Sequence, residues 1–216
     1  MRVAVVGGHG KVARELIPLL AGRGDTVVPL VRTQEHVDEL RGPGVEPRLL
    51  DIEAQDADAF AEAFAGVGAV VFAAGAGADG RADRKKTVDL DGSLKSVDGA
   101  QRAGVQRFVQ VSAIGVDDPV PDDAGDVWKA YVEAKRDADA ALRESDLAWT
   151  ILRPGGLTDG PATGRVLLGT SVPRGQVSRA DVAAVIAEVL SRPASVGKQW
   201  ELVAGDQTIQ EAVSAG

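Results

Sequence analysis

The chain contains no cysteine, so it has no disulfide framework, no thiolate metal site and no cysteine nucleophile. Histidine is almost as scarce. Only His9 and His36 occur, too few to build a histidine metal site, and no metal is expected. Tyr131 is the only tyrosine, so chemistry that needs a phenol has one place to happen. Long hydrophobic runs are missing. The N-terminal "VAVV" stops at Gly7, too short for the apolar part of a signal peptide, and no later run approaches the roughly 20 residues that span a bilayer. A cytoplasmic protein is the expectation. Basic residues fall short of acidic ones, 24 against 32, and the formal charge of −8 argues against a nucleic-acid or anionic-membrane surface. It leaves room for a local basic pocket. A small molecule is the expected partner, and the sequence does not distinguish a monomer from a homodimer.

What the chain does contain is a sizeable apolar fraction, 44 % of 216 residues, and one domain over 1–216 is the default reading. There is no internal repeat and no low-complexity tract. Short β-branched runs alternate with helical stretches. Strands are expected at 2–6, 26–31, 45–51, 69–74, 107–112, 148–153 and 199–203, and helices at 11–23, 34–41, 55–65, 84–103, 127–145 and 179–191. Over 127–145, the residues Val127, Tyr131, Ala134, Ala138, Ala141 and Leu142 fall on one stripe. This alternation implies right-handed βαβ units and an α/β fold with a parallel, doubly wound sheet. Ligands bind such sheets at the carboxyl ends of the strands, beside the point where strand order reverses. The turns after Val6, Val31, Leu50, Ala73, Val111 and Leu152 are the segments to inspect.

After the first strand, Gly7, Gly8 and Gly10 fall within four residues and a helix begins near Lys11. Glycines there permit a tight turn and let the backbone approach a pyrophosphate. The helix start adds N–H groups and a positive dipole end. Two registers fit, Gly8-x-Gly10-x-x-Ala13 and Gly7-x-x-Gly10-x-x-Ala13. The alternative is a structural turn without ligand. His9 and Lys11 are either extra phosphate donors or bystanders. At the tip of the second strand the carboxylate that usually meets a free ribose 2′-hydroxyl is missing. Arg32 stands there instead, with a planar fork suited to a 2′-phosphate. NADP is therefore expected over NAD, the alternative being an ordinary surface arginine. Asp51 and Ile52 fall where an adenine would lie, with Asp51 as its partner or as a helix cap. The small residues of "VVFAAGAGADG" allow a dinucleotide to pass close over the backbone, as a flexible loop would also allow.

The glycine turn Gly7-Gly8-His9-Gly10, the stretch "GVQRFVQVSAIG" with Ser112, the pair Tyr131-x-x-x-Lys135 and "ILRPGGLTDGP" together resemble the short-chain dehydrogenase/reductases. The likeness is to the small atypical branch of NAD(P)-binding, epimerase-like and flavin-reductase-like proteins, and it covers nearly the whole chain. It implies a Rossmann domain, a nicotinamide cofactor and hydride transfer. By that resemblance Gly7, Gly10 and Ala13 form the phosphate turn, with Gly8, His9, Lys11 and Val12 alongside. Arg32 meets the 2′-phosphate, and Asp51 and Ile52 border the adenine. Ala73, Ala74 and Gly75 line the ribose side, and Pro154, Gly155, Gly156 and Leu157 lie against the nicotinamide. Ser112, Tyr131 and Lys135 match the catalytic serine, tyrosine and lysine, the latter two also touching cofactor. The fourth catalytic position, normally Asn in the family, is Asp89.

Residues four apart share a helix face, so Tyr131 and Lys135 can enter one pocket. A phenol with a pKa near 10 is a poor acid–base group at neutral pH, and a neighbouring ammonium lowers it. Tyr131 can then protonate a carbonyl oxygen as hydride arrives, with Ser112 hydrogen-bonding the same oxygen. The alternative is a packed tyrosine beside a solvated lysine. Asp89 either compensates the charge of Lys135, or caps local backbone, or pairs with Lys85 or Lys86. The loop "GVDDPVPDDAGDVW" is either a solvated acidic rim or a substrate lid, and Trp128 either stacks on a flat substrate or packs the loop down.

Residues 154–216 are read as a small substrate-side part holding one helix, one strand and a short last helix, too small for a nucleotide-sugar subdomain. Ser178 is expected to cap that helix, and Asp181 to tie to Arg179 or a neighbouring loop. The expected function is an NADP-dependent oxidoreductase acting on a small carbonyl, quinone-like or flavin-like substrate. An NADP(H)-binding regulator or sensor without turnover is the first alternative, and a sugar epimerase or dehydratase the second.

Overall fold

The computed structural model describes residues 1–77 and 80–216. The run "VAVV" dictates the centre of the fold. In β1 (Arg2–Val6) the residues Val3, Ala4, Val5 and Val6 are all fully buried. Side chains alternate across a strand. Val3 and Val5 therefore join the apolar layer built with Leu16 and Ile186, while Ala4 and Val6 join the opposite layer with Phe60 and Val97. A strand buried on both faces needs helices on both faces, and the following elements supply them.

Those elements are α1 (Lys11–Gly22), β2 (Thr26–Val31), α2 (Gln34–Leu40), β3 (Arg48–Leu49), α3 (Ala57–Ala63), β4 (Ala69–Phe72), α4 (Ala82–Arg84), a π-helical segment (Lys85–Leu90), α5 (Asp91–Arg102), β5 (Arg107–Val111) and α6 (Asp126–Glu144). Then come β6 (Ala148–Pro154), β7 (Gly156–Thr158), β8 (Arg165–Gly169), β9 (Gln176–Ser178), α7 (Arg179–Leu190), β10 (Lys198–Ala204), β11 (Gln207–Thr208) and α8 (Ile209–Ala215). The main sheet runs β3-β2-β1-β4-β5-β6-β10-β8-β11, parallel from β3 to β10. Strand order reverses between β1 and β4, so the crevice of a Rossmann domain opens there.

Four expectations need correction. The third strand is Arg48–Leu49 and not 45–51. Val45 reaches β2 only as an isolated bridge to Val27, and Pro47 has no N–H to give the ladder. The single helix expected over 84–103 is interrupted by the π-helical segment, whose wider turn buries Lys85, Val88 and Asp89 together. In α6 the buried face carries Val132, Ala134, Lys135, Ala138, Asp139 and Leu142, while Val127, Tyr131 and Ala141 are half-buried. Residues 154–216 also do more than cover the cleft. β10 pairs with β6, β8 pairs antiparallel with β10, and α7 packs on α1. β8, β7, β9 and β11 have no counterpart in the expected elements. Ala78 and Asp79, at the end of the small-residue stretch, lie outside the described residues.

Candidate active site

The carboxyl ends of β1, β2, β4, β5 and β6 open into one cleft of about 1500 Å³, and every catalytic and cofactor residue singled out above lines it except Gly8 and Ala13, the latter buried in the core. Gly8 packs behind the turn. A Cβ there would stand 2.5 Å from Pro29 Cβ, so this glycine serves the contact with β2. Gly7 holds the turn itself. Its φ is +80°, and a Cβ would stand 2.7 Å from the Cα of Ala74. Gly10 has φ −69°, so the left-handed residue of the turn is Gly7 and not Gly10. Gly10 also caps α1 without a side chain, which leaves the first N–H groups of that helix for an anion. A backbone cradle kept clear of side chains at a helix start fits the pyrophosphate of a dinucleotide.

At the other end of the cleft Tyr131 and Lys135 are brought together with Asp89. Lys135 Nζ lies 3.2 Å from Asp89 Oδ1 and donates to the carbonyl of Val111, also at 3.2 Å. Asp89 accepts from the N–H of Ala76 through Oδ2 at 3.0 Å, which joins the loop after β4 to the π-helical segment. Both charges are buried. Burial pulls the Lys135 ammonium down, but Asp89 and the phenol outweigh it and hold it above its ordinary value. The Tyr131 phenol is pushed up. Burial is the largest cause, Lys135 opposes it, and Asp89 and Asp139 add to it. Of the roles open to Asp89, two are found together, the pairing with Lys135 and the capping of a backbone N–H. Trp128 is half exposed, its ring 5.6 Å from that of Tyr131, and Lys85 Nζ stands 6.0 Å from the Tyr131 ring centroid.

Ser112 departs from the role the family resemblance implies. Its hydroxyl donates to Asp139 Oδ2 at 2.8 Å. The proton is directed away from the cleft, so only the oxygen lone pairs remain for a substrate. Asp139 is fully buried and collects further donors, Gln110 Nε2 at 2.7 Å and Arg153 Nε at 2.8 Å. Arg153 also grips Asp117 at 2.5 Å, and Asp118 is held by Arg174 at 2.5 Å. The acidic loop is thus tied down at two of its carboxylates. Asp139, Gln110 and Arg153 were not among the residues that the sequence singles out. The available signal was Asp139 itself, a charge four residues after Lys135 on the buried face of α6.

At the opposite end, Arg32 is exposed on the cleft wall. His36 and Glu53, neither of them anticipated, line the same wall. Glu53 accepts from Thr87 at 2.7 Å and from Arg84 at 3.0 Å, and its carboxyl is held low by Thr87 first, then Arg84, with a smaller share from Arg32. Asp51 Oδ1 accepts from the N–H groups of Glu53 and Ala54 at 2.9 and 3.3 Å, so it caps the local turn while lining the cleft. Ile52 packs against Gly92, where a Cβ would stand 2.5 Å from its Cγ2. Across the cleft, Gly155 leaves no room for a side chain under the carbonyl of Gly175. Lys11 turns to Asp159 at 2.8 Å, and Arg179 pairs with the same carboxylate at 2.5 Å. Asp181 ties to the loop at Thr163 and Gly164, not to Arg179, and Ser178 caps α7 as expected. Among the described residues no group of three or more His, Asp or Glu could hold a metal ion, and no helix is long and apolar enough to cross a membrane.

A glycine turn, a parallel sheet with a reversal of strand order and a Tyr–Lys pair in one cleft define a nicotinamide-dinucleotide-binding protein with an oxidoreductase-like fold. A family model described as NAD(P)H-binding matches residues 7–193, and the chain belongs to this family, in the atypical short-chain dehydrogenase/reductase style. It is 34 % identical over 214 residues to the "Uncharacterized sugar epimerase YhfK" of Bacillus subtilis, covering 99 % of both proteins. A solved structure of a proposed NAD-dependent epimerase/dehydratase from Bacillus halodurans is 38 % identical, with a TM-score of 0.91 and full coverage of both chains. ChuY of Escherichia coli O157:H7, described as an anaerobillin reductase, is 28 % identical with a TM-score of 0.76, covering 96 % of this chain and 99 % of its own.

Proposed function

We propose that this protein is an NADPH-dependent reductase of a small carbonyl, quinone-like or flavin-like molecule in the cytoplasm. The observation that carries the reading is the coupling of Tyr131 to an already compensated Lys135, 3.2 Å from Asp89. Burial pushes the phenol up, the attraction of Lys135 does not overcome it, and Asp89 adds to the rise. Tyr131 is then a proton donor at neutral pH and a poor base. Reduction needs the donor, whereas oxidation of an alcohol needs the base. Bound NADPH supplies the hydride. Tyr131 gives its phenolic proton to the substrate oxygen, Lys135 and Asp89 keep the phenol in place, and Trp128 offers a face for a flat substrate. Ser112, its proton committed to Asp139, does not polarise the substrate carbonyl. An epimerase would have to oxidise before it reduces, so a phenol held as an acid counts against that alternative.

The direct test is an NADPH-consumption screen over quinones, flavins and small carbonyls, run beside a cofactor titration. Oxidation of NADPH with at least one acceptor is expected. Tight NADPH binding with no turnover on any acceptor would replace the reductase by a sensor. The same compensation of Lys135 is what favours that second reading, since it weakens the catalytic couple.

Two variants probe the parts. Arg32 engages no carboxylate at hydrogen-bond distance among the described residues and lines the cleft at the tip of β2, which supports its reading as the 2′-phosphate ligand. Arg32→Ala is expected to remove about 1.5–3 kcal/mol of preference for NADPH over NADH. An unchanged preference in a two-cofactor titration would show that Arg32 is not the 2′-phosphate ligand. Asp89→Asn is expected to lower the Tyr131 pKa, because Lys135 then acts on the phenol without a competing carboxylate. An absorbance titration reads this directly, Tyr131 being the only tyrosine. The same pKa in both proteins would mean that Asp89 does not govern the couple.

A further inference from the structure

The chain has two histidines, and the fold stacks one on the other. His9 lies in the glycine turn and His36 in α2, yet their ring centroids are 3.5 Å apart and the rings are within 13° of parallel. Both line the cleft at the carboxyl ends of β1 and β2, beside Arg32. The juxtaposition follows from the backbone. Gly8 donates to the carbonyl of Leu30 at 3.0 Å, which docks the glycine turn on the end of β2, and Thr33 caps α2 by accepting from the N–H of His36.

His9 can exchange one hydrogen-bond partner for another as it gains a proton. His9 Nε2 faces an acceptor, Glu39 Oε2 at 2.8 Å, and a donor, the guanidinium of Arg14, which also reaches Glu39 Oε1 at 2.7 Å. A neutral ring with its proton on Nδ1 accepts from Arg14, and a protonated ring donates to Glu39. The ring nitrogens of His36 have no hydrogen-bond partner among the described residues. The charged groups facing the pair are Arg14 from α1, Glu39 from α2, Arg32 at the end of β2 and, beyond Arg32, Glu53. Two stacked imidazolium ions repel each other, so a proton on His36 becomes favourable when an anion sits against it.

We propose that the His9–His36 stack takes up a proton from solvent when a ribose 2′-phosphate docks beside Arg32, so that the histidines share in selecting the phosphorylated dinucleotide. This rests on the reading of Arg32 as the 2′-phosphate ligand. The consequence is an affinity for NADP+ that falls as pH rises, with no such slope for NAD+.

Calorimetric titration of NADP+ and of NAD+, each near pH 7.5 in two buffers of unlike ionisation heat, counts the protons bound. At that pH the phosphate, whose second ionisation lies near pH 6, is mostly dianionic and contributes little. Net uptake is expected with NADP+ and none with NAD+. His36→Gln and His9→Gln should each reduce the uptake, and His36→Gln should lower the NADP+ to NAD+ affinity ratio by about tenfold, the low end for one charge-assisted hydrogen bond. A preference for NADP+ whose proton count is unchanged in both variants overturns the inference and leaves Arg32 in its role. Equal affinity for the two dinucleotides overturns Arg32 and the histidines together, and no binding of either removes the cofactor reading itself.

Discussion

Tyr131→Phe is expected to lower reductase turnover by about 10²–10⁴-fold, the usual contribution of a positioned proton donor, and to leave NADPH affinity in place. The affinity survives because the variant keeps the ring against Trp128 and leaves the Lys135–Asp89 pair intact. The pH profile separates this from a packing effect. The phenol is held above its ordinary value by burial first and by Asp89 and Asp139 besides. It therefore stays protonated through the neutral range, and wild-type reduction should fall only on the alkaline side, as pH rises through that raised value. In the Phe variant the alkaline fall disappears with the rate. An unaltered rate would mean that the product takes its proton from solvent, as a reduced flavin can, and Tyr131 would then be a wall of the pocket rather than an acid.

Gly10→Val is expected to abolish binding of both NADPH and NADH in a folded protein. The backbone there has φ −69° and ψ 158°, which any residue adopts, so the change adds no backbone strain. A Cβ would come within 3.0 Å of the carbonyl oxygen of Gly7, and the branched chain beyond it would fill the cradle at the start of α1. Gly7→Val supplies the contrast. At φ +80°, with Ala74 Cα only 2.7 Å from the added carbon, it should lower the melting temperature before any question of ligand arises. Thermal unfolding and fluorescence titration of both variants give the two readouts. Normal cofactor affinity in folded Gly10→Val would falsify the phosphate-turn assignment.

The sheet was legible in the chain because central parallel strands announce themselves. "RVAVV", "TVVPLV", "AVVF" and "RFVQV" are apolar on both faces, and no other element uses such short continuous runs between glycines and helices. The strands that were missed are of the other kind. In β8 exposed and buried residues alternate, a weak pattern over five residues, and its place is decided by β10, against which it runs antiparallel. The π-helical segment was also out of reach. Nothing in "KKTVDL" marks an added residue in the turn, which is set by the need to bury Asp89 against Lys135 and the N–H of Ala76.

The candidate site divides along the same line. Local spacing alone determined the glycine turn, the Tyr131–Lys135 face and Arg32 at the tip of the second strand, because each depends on residues close in sequence. Tertiary structure decided which groups those residues meet. It set Asp89 of the π-helical segment on Lys135 of α6, turned the Ser112 proton to Asp139, and laid His36 on His9. Partners in such contacts come from separate elements, and their charge states follow from burial and from neighbours tens of residues away, quantities that a one-dimensional pattern does not contain.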